Sequence, residues 1–298
     1  MKIGYIGLGN MGWPIAANLA RAGHEMIVYD LHRDAVDGFV EEFGARQANG
    51  LESLAQSSDV VITIVPTGRD VRQIMLGAKD GDDCLINGLD DSKLFIDMSS
   101  SEPTGTLELG EALKEKGIAF IDAPVSGGVK RAEAGTISIM VGGEQDAIER
   151  ARPLFEAAGD DIFECGPLGA GHATKALNNM LSALSVLATT EALLIGKRFG
   201  LDPAVVTDVL NKSSGRNNAT ELKVHQFILN KNWASGFSSG LMLKDLTIAQ
   251  DLARSTGLNA PCTSLVRDAF AETVNHYGPN ADHTELARLL QETRKTEL

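Results

Sequence analysis

The stretch KIGYIGLGNMG, residues 2–12, constrains the fold more than any other in this chain. Gly7, Gly9 and Gly12 stand in G-x-G-x-x-G spacing between an apolar strand-like run and a helix-like segment from about Met11 to Ala22. A glycine triplet alone carries little weight in a chain with 31 glycines. Its place after a strand and before a helix gives it meaning. Gly7 permits the tight turn, Gly9 lets the backbone approach a pyrophosphate, and Gly12 lets the helix pack close on the strand. Asn10 and Met11 complete the turn, and the helix N-terminus offers NH groups and partial positive charge to phosphates. A second strand-like run, EMIVYD, ends in Asp30, 23 residues after Gly7. A carboxylate there accepts hydrogen bonds from ribose hydroxyls and repels a 2′-phosphate, so the spacing predicts NAD rather than NADP. The neighbouring His32 and Arg33 pull the other way. The competing reading, a ligand-free turn with a capping aspartate, leaves the register of strand, turn, helix and acid unexplained.

The same alternation continues through the first half. Apolar runs at 59–66, 94–99, 118–122 and 136–143 read as strands, with helical segments between them, which predicts a parallel sheet covered by helices. The turn-rich GPLGAG at 166–171 closes this region. Beyond it the periodicity is helical, over 172–196, 203–213, 218–229, 241–256, 262–277 and 284–293. The expected fold is an α/β, Rossmann-type dinucleotide-binding domain at residues 1–165, followed by an all-α domain at 166–298.

Composition narrows the partners. The net charge of −13 argues against a nucleic acid or an anionic membrane. Any anion must then be met by local cations, so a lysine in apolar company is informative. Three widely spaced cysteines, Cys84, Cys165 and Cys262, form neither a metal pattern nor a redox pair. No metal is expected, and a reducing, cytoplasmic setting is. The first 20 residues resemble a signal peptide only superficially, since glycines 4, 7, 9 and 12 would break its apolar segment.

One such lysine is Lys175. Between Ala173 and Gly196 it and Glu191 are the only charged residues. The stretch is long enough to span a bilayer, but its asparagines, serines and threonines favour a helix buried in a protein core. At 100° per residue, Asn178, Asn179, Ser182 and Thr189 all fall within roughly a quarter-turn of Lys175. A wet face normally carries Glu, Lys and Arg. This stripe hydrogen-bonds without charge and suits the wall of a small polar pocket, or else a seam between subunits.

Other segments are more ambiguous. In DAPVSGGV, residues 122–129, Ser126 offers a hydroxyl and Gly127 and Gly128 expose backbone NH groups, which suits a carboxylate. A plain turn explains the same residues equally well. VPTGRD and DMSSSEP both follow apolar runs, where ligands bind in open α/β sheets, although SSSEP also reads as a helix cap. Lys244, beside Asp245 in a second apolar helix, reads as an ion pair or snorkelling side chain as readily as a functional group.

Together GLGNMG, DAPVSGG with GTISIMVGG, GAGHATKALNN and KDL resemble the β-hydroxyacid dehydrogenase family over essentially the whole chain. The resemblance implies a dinucleotide-binding domain joined by a long helix, 172–196, to an all-α domain serving substrate and assembly, usually as homodimers or homotetramers. It implies Lys175 as the catalytic lysine, with Asn178 and Asn179 binding substrate. It implies Ser126, Gly127 and Gly128 as the holder of a small carboxylate substrate. Val65, Pro66, Ser100 and Lys244 would lie along the cofactor. Leu31, where NADP-using members often have arginine, favours NAD. The expected reaction is oxidation of a small 3-hydroxy acid, with Lys175 as general base and general acid in reverse. Burial and the nearby cation Lys244 are expected to help that amine shed its proton. The alternatives are a non-catalytic dinucleotide sensor and a 6-phosphogluconate dehydrogenase-like decarboxylase. Imine reductases typically replace the lysine.

Overall fold

Residues 1–79 and 81–298 are described in the structure, a computed structural model. Its strands alternate their side chains between two cores. Ile3, Tyr5, Val60, Ile62, Leu94, Ile96 and Ile121 enter one. Ile6, Val61, Phe95 and Phe120 enter the other. Both faces of the sheet are therefore apolar, as a sheet covered on two sides requires. Each fully buried large aliphatic side chain contributes about 1.5–3 kcal/mol.

The first part of the chain runs β1 (Lys2–Ile6), α1 (Gly12–Arg21), β2 (Glu25–Tyr29), α2 (Arg33–Phe43), β3 (Arg46–Gln47), α3 (Leu51–Gln56), β4 (Val60–Thr63) and α4 (Gly68–Leu76). It continues with β5 (Leu94–Asp97), α5 (Pro103–Lys114), β6 (Ala119–Asp122), β7 (Val125–Ser126), α6 (Gly128–Glu133), β8 (Ile137–Gly142), α7 (Gln145–Ala158) and β9 (Gly159–Gly166). The strand order is β3-β2-β1-β4-β5-β6-β8-β7, with β9 beside β8. Strands β1 to β6 are parallel. The order reverses between β1 and β4, so their carboxyl ends flank the crevice where such sheets bind ligands.

The all-parallel expectation needs correction at β8, which runs antiparallel to β6 and β7. The chain continues from β6 almost directly into β7 and returns after one short helix. That return reverses direction, whereas a parallel neighbour needs a full crossover. Sequence patterning gave α4 no range of its own, although Thr67 and Asp70 form a capping box there. The helix expected over 218–229 is interrupted. It is α10 (Asn218–Leu222) followed by a π turn at Val224–Ile228.

The second part comprises most of α8 (Ala170–Phe199), then α9 (Pro203–Asn211), α10, the π turn, α11 (Ser239–Ser255), α12 (Pro261–Tyr277) and α13 (Glu285–Thr293). Its core packs Ala183, Val186, Leu187 and Leu194 with Met242, Leu246, Val266, Phe270, Leu286 and Leu290. The chain divides into compact units at Met1–Lys175 and Ala176–Leu298. That division falls inside α8 rather than at the glycine-rich turn before it, because the first turns of α8 are bonded to β6, as described below.

Helix α8 is long and apolar enough to cross a membrane by length and composition, and half of its most apolar window is buried. The expectation of a wholly buried helix is corrected on one face. Leu177, Leu181, Ile195 and Phe199 are exposed, the last two at 72% and 83%.

Candidate active site

The glycine turn separates what the protein needs from what a ligand needs. Gly7 has φ +101°, and a Cβ there would lie 2.1 Å from Ile64 O. A Cβ on Gly12 would meet Gly7 O at 1.9 Å. A Cβ on Gly9 would meet no atom within 4 Å. The protein's own packing thus demands Gly7 and Gly12 but leaves open space at Gly9, the position that approaches a pyrophosphate. Asn10 is exposed beside it and Met11 half-buried. No side chain caps the N-terminus of α1 at Met11, so its first NH groups suit an anion. Asp30 joins this turn. Its carboxylate accepts from Leu8 N at 2.6 Å and His32 N at 2.7 Å. Its remaining lone pairs suit ribose hydroxyls. These residues fit a bound dinucleotide.

At the ends of β4 and β5 the buried Asp97 organises the loops. It accepts from Thr63 Oγ1, Ser99 N and Ser101 Oγ at 3.1, 2.9 and 2.7 Å. Ser99 Oγ accepts from Val65 N at 3.0 Å. Ser99 and Ser101 thereby belong to this network. Ser100 stands between them half-buried, Val65 is half-buried and Pro66 exposed.

Beyond β6, Ser126 is half-buried and Gly127 and Gly128 are exposed. Both glycines take positive φ, +137° and +72°. The loop therefore needs glycine and presents its backbone outward. Lys130 is exposed, and Arg131 pairs with Asp161 at 3.5 Å.

Asp122 at the end of β6 holds the start of α8. Its carboxylate accepts from Gly169 N and His172 N, each at 2.7 Å. Burial pushes the Asp122 carboxyl up from its usual range, and the charge of His172 and the amide donors oppose that rise. A Cβ on Gly171 would meet Met140 O at 2.2 Å, so this glycine lets the helix sit against β8. The fully buried His172 ring lies 3.6 Å from Asp97, 3.7 Å from Asp122 and 2.8 Å from Thr106 Oγ1. Lys175 follows three residues later and is itself buried, 9% exposed.

Within the second unit, Asn178 is exposed and donates to Asn179 Oδ1 at 3.1 Å. The buried Asn179 donates to Asp245 Oδ2 at 2.5 Å. Asp245 Oδ1 lies 3.4 Å from Lys244 Nζ. Lys244 therefore forms the ion pair that its neighbour suggested, and the pair is tied to the asparagines. The rest of the polar stripe is also engaged. Ser182 Oγ accepts from Lys223 Nζ at 3.1 Å, and Thr189 hydrogen-bonds Asn217. Two surface concavities of this unit, around Asn211–Arg216 and around Lys197–Ala204, contain none of these residues. Among the described residues no group of three or more His, Cys, Asp or Glu is placed to hold a metal.

Two family models match the chain. Residues 2–166 match the NAD binding domain of 6-phosphogluconate dehydrogenase. Residues 169–290 match the NAD-binding region of NADP-dependent 3-hydroxyisobutyrate dehydrogenase. A 3-hydroxyisobutyrate dehydrogenase of Pseudomonas aeruginosa is 40% identical, over 95% of each chain. The chain belongs to the β-hydroxyacid dehydrogenase family. An NAD-dependent L-serine dehydrogenase of the same organism is 36% identical over 98% of this chain and 99% of its own. A solved 3-hydroxyisobutyrate dehydrogenase of Mycobacterium tuberculosis, with L-serine, superposes with a TM-score of 0.89 at 34% identity. It is covered over 99% of its length, and this chain over 97%. This chain is accordingly an NAD-dependent hydroxy acid dehydrogenase, with a dinucleotide-binding α/β region and a helical region.

Sequence reasoning missed Asp97, Asp122 and His172. Asp122 sat in view within DAPVSGG, and His172 within GAGHATK, but nothing in their spacing announced a contact 50 residues apart.

Proposed function

We propose that the chain oxidises a small 3-hydroxy acid to the corresponding semialdehyde or keto acid, with Lys175 as the proton acceptor. The observation that carries this reading is a buried lysine on a helix whose first turn is fixed by a buried carboxylate. Bound NAD supplies the hydride acceptor, C4 of its nicotinamide. Lys175 Nζ takes the hydroxyl proton as the carbonyl forms and returns it in the reverse direction. Ser126 and the backbone of Gly127 and Gly128 receive the substrate carboxylate. Asn178 and Asn179 hydrogen-bond the substrate, with Asp245 holding Asn179 in place. Gly9, Asn10, Met11 and the α1 N-terminus receive the pyrophosphate and Asp30 the ribose. Val65, Pro66, Ser100 and Lys244 border the cofactor. In functional terms residues 1–165 form the cofactor domain and 166–298 the domain for substrate and assembly.

The exposed apolar face of α8 supports a homodimer or homotetramer. Leu177, Leu181, Ala188, Ile195 and Phe199 fall within about 40° of one another around the helix. Such a stripe on an otherwise charged protein is typical of a subunit contact. A cytoplasmic location agrees with three unpaired cysteines.

The test follows NADH absorbance with purified protein and a panel of 3-hydroxyisobutyrate, serine, glycerate and threonine isomers. At least one should be turned over with NAD, and K175A should not support it. NAD binding with no turnover of any hydroxy acid would favour a non-catalytic sensor.

A further inference from the structure

The helical unit contains a second buried lysine that the reaction above does not use. Lys223 is 9% exposed and lies between α10 and the π turn. Its carbonyl accepts from both Phe227 N and Ile228 N, at 2.9 and 3.2 Å. Such π turns are rare and recur at functional sites. Its ammonium donates to Ser182 Oγ at 3.1 Å. Among the described residues no carboxylate lies within ion-pair distance of it. An ammonium has three N–H donors, and burying one beside a single neutral partner is costly. Burial accordingly lowers its pKa to about 8.

The acid nearest in effect is Asp282, and it is already occupied. Its carboxylate accepts from Ser235 Oγ at 2.8 Å, from Gly236 N at 3.0 Å, and from Thr284 N at 2.9 Å. Next to it, His283 is 4% exposed, with Nδ1 3.1 Å from Phe237 O. The same nitrogen lies 2.9 Å from Ser235 Oγ. Nε2 is buried with no hydrogen-bond partner among the described residues. Burial and the charge of Lys223 hold the ring neutral. The positive charge of Lys223 is thus balanced only by Asp282, at longer than ion-pair distance, and two of its N–H donors have no hydrogen-bond partner among the described residues.

Its location suggests what completes it. Ser182 is three residues past Asn179, about 4.5 Å further along the same helix. A lysine at the protein surface normally carries its ammonium out to water. This one turns inward, to the hydroxyl that continues the asparagine stripe. We infer that Lys223, with Ser182, receives a second carboxylate of the substrate, so that the preferred substrates are 3-hydroxy acids with two acidic groups. This rests on the reading of the chain as a 3-hydroxy acid dehydrogenase.

The experiment compares 3-hydroxyisobutyrate with 2-(hydroxymethyl)succinate and 2-(hydroxymethyl)glutarate, which share its reacting head and add a carboxylate on a shorter or longer arm. With wild-type protein at pH 7, kcat/KM for one of the diacids should exceed that for the monoacid by about tenfold or more. Lys223→Met should collapse that ratio, chiefly through KM of the diacid, and Lys223→Arg should keep most of it. A second arm measures binding of non-reactive 2-methylsuccinate and 2-methylglutarate against isobutyrate, in the presence of NADH, by calorimetry. Tighter diacid binding that the Met variant loses supports the subsite. Diacids no better than the monoacid in either arm, or a Met variant that weakens mono- and diacids equally, would overturn it. If no hydroxy acid is turned over, the reading of the reaction fails, and the binding arm alone decides the subsite.

Discussion

Asp122, at the carboxyl end of β6, accepts a 2.7 Å hydrogen bond from the backbone NH of His172, in the first turn of α8. The same carboxylate accepts from Gly169 N. This capping carboxylate comes from another strand rather than from the residue preceding the helix, and it anchors the turn just ahead of Lys175. Asp122→Ala would leave two buried NH groups without partners, at about 1–3 kcal/mol each. The variant should melt several degrees lower. It should also lose more in kcat than in NAD affinity, measured by steady-state kinetics beside a fluorescence titration of NADH.

Lys175→Ala removes the proposed proton acceptor without touching the glycine turn. Turnover should fall by ~100-fold or more, the usual weight of such a group. NAD affinity should stay close to wild type. Turnover within about tenfold of wild type would rule out the role.

Gly9 and Gly12 should separate ligand from fold. Gly12→Ala drives a methyl against Gly7 O and should lower Tm markedly, since overpacking of this kind costs at least ~1–3 kcal/mol. Gly9→Ala meets no protein atom, so Tm should change little, while NAD affinity should drop about tenfold or more. Unchanged NAD affinity in Gly9→Ala would argue against pyrophosphate contact there.

His283 should give the fold a weak point in mild acid. Burial, with the charge of Lys223, lowers its pKa below the ordinary imidazole value. The unfolded chain therefore takes up a proton near pH 6.5 that the folded chain refuses, and stability falls as pH drops below that value. Asp282, whose burial raises its pKa but whose hydrogen bonds from Thr284 and Ser235 more than offset that and lower it, adds stability that is lost only near and below its unfolded value of about 3.9. Thermal melts at pH 7.5 and 5.5 should show the first loss. His283→Gln should reduce the difference between the two pH values.

The apolar face of α8 predicts self-association. A Leu181→Glu, Ile195→Glu double variant should elute later than wild type from a size-exclusion column, with little change in far-UV circular dichroism. An unchanged elution volume would place the subunit contact elsewhere.

Much of this was legible in the chain itself. The G-x-G-x-x-G turn, the acid at the end of β2 and the change from alternating to helical periodicity all depend on local spacing, and local spacing is written in sequence. Lys175 stood out because charge is so scarce around it. The reversed β8 was not legible, since strand direction depends on the path of the connection and both directions share one apolar pattern. Nor was the exposed face of α8, because an apolar helix reads alike whether it packs in its own core or against another surface.

By itself the sequence determined the two-part architecture, the dinucleotide turn and the lysine with its asparagines, because each follows from residues within one or two helical turns or one strand–turn–helix unit. Only the tertiary structure decided that Asp122 caps the lysine's helix, that Asp245 engages Asn179 and that Lys223 turns inward to Ser182. Those partners lie about 40 to 70 residues apart. Hydrogen bonds act over some 3 Å of space, whatever the separation along the chain.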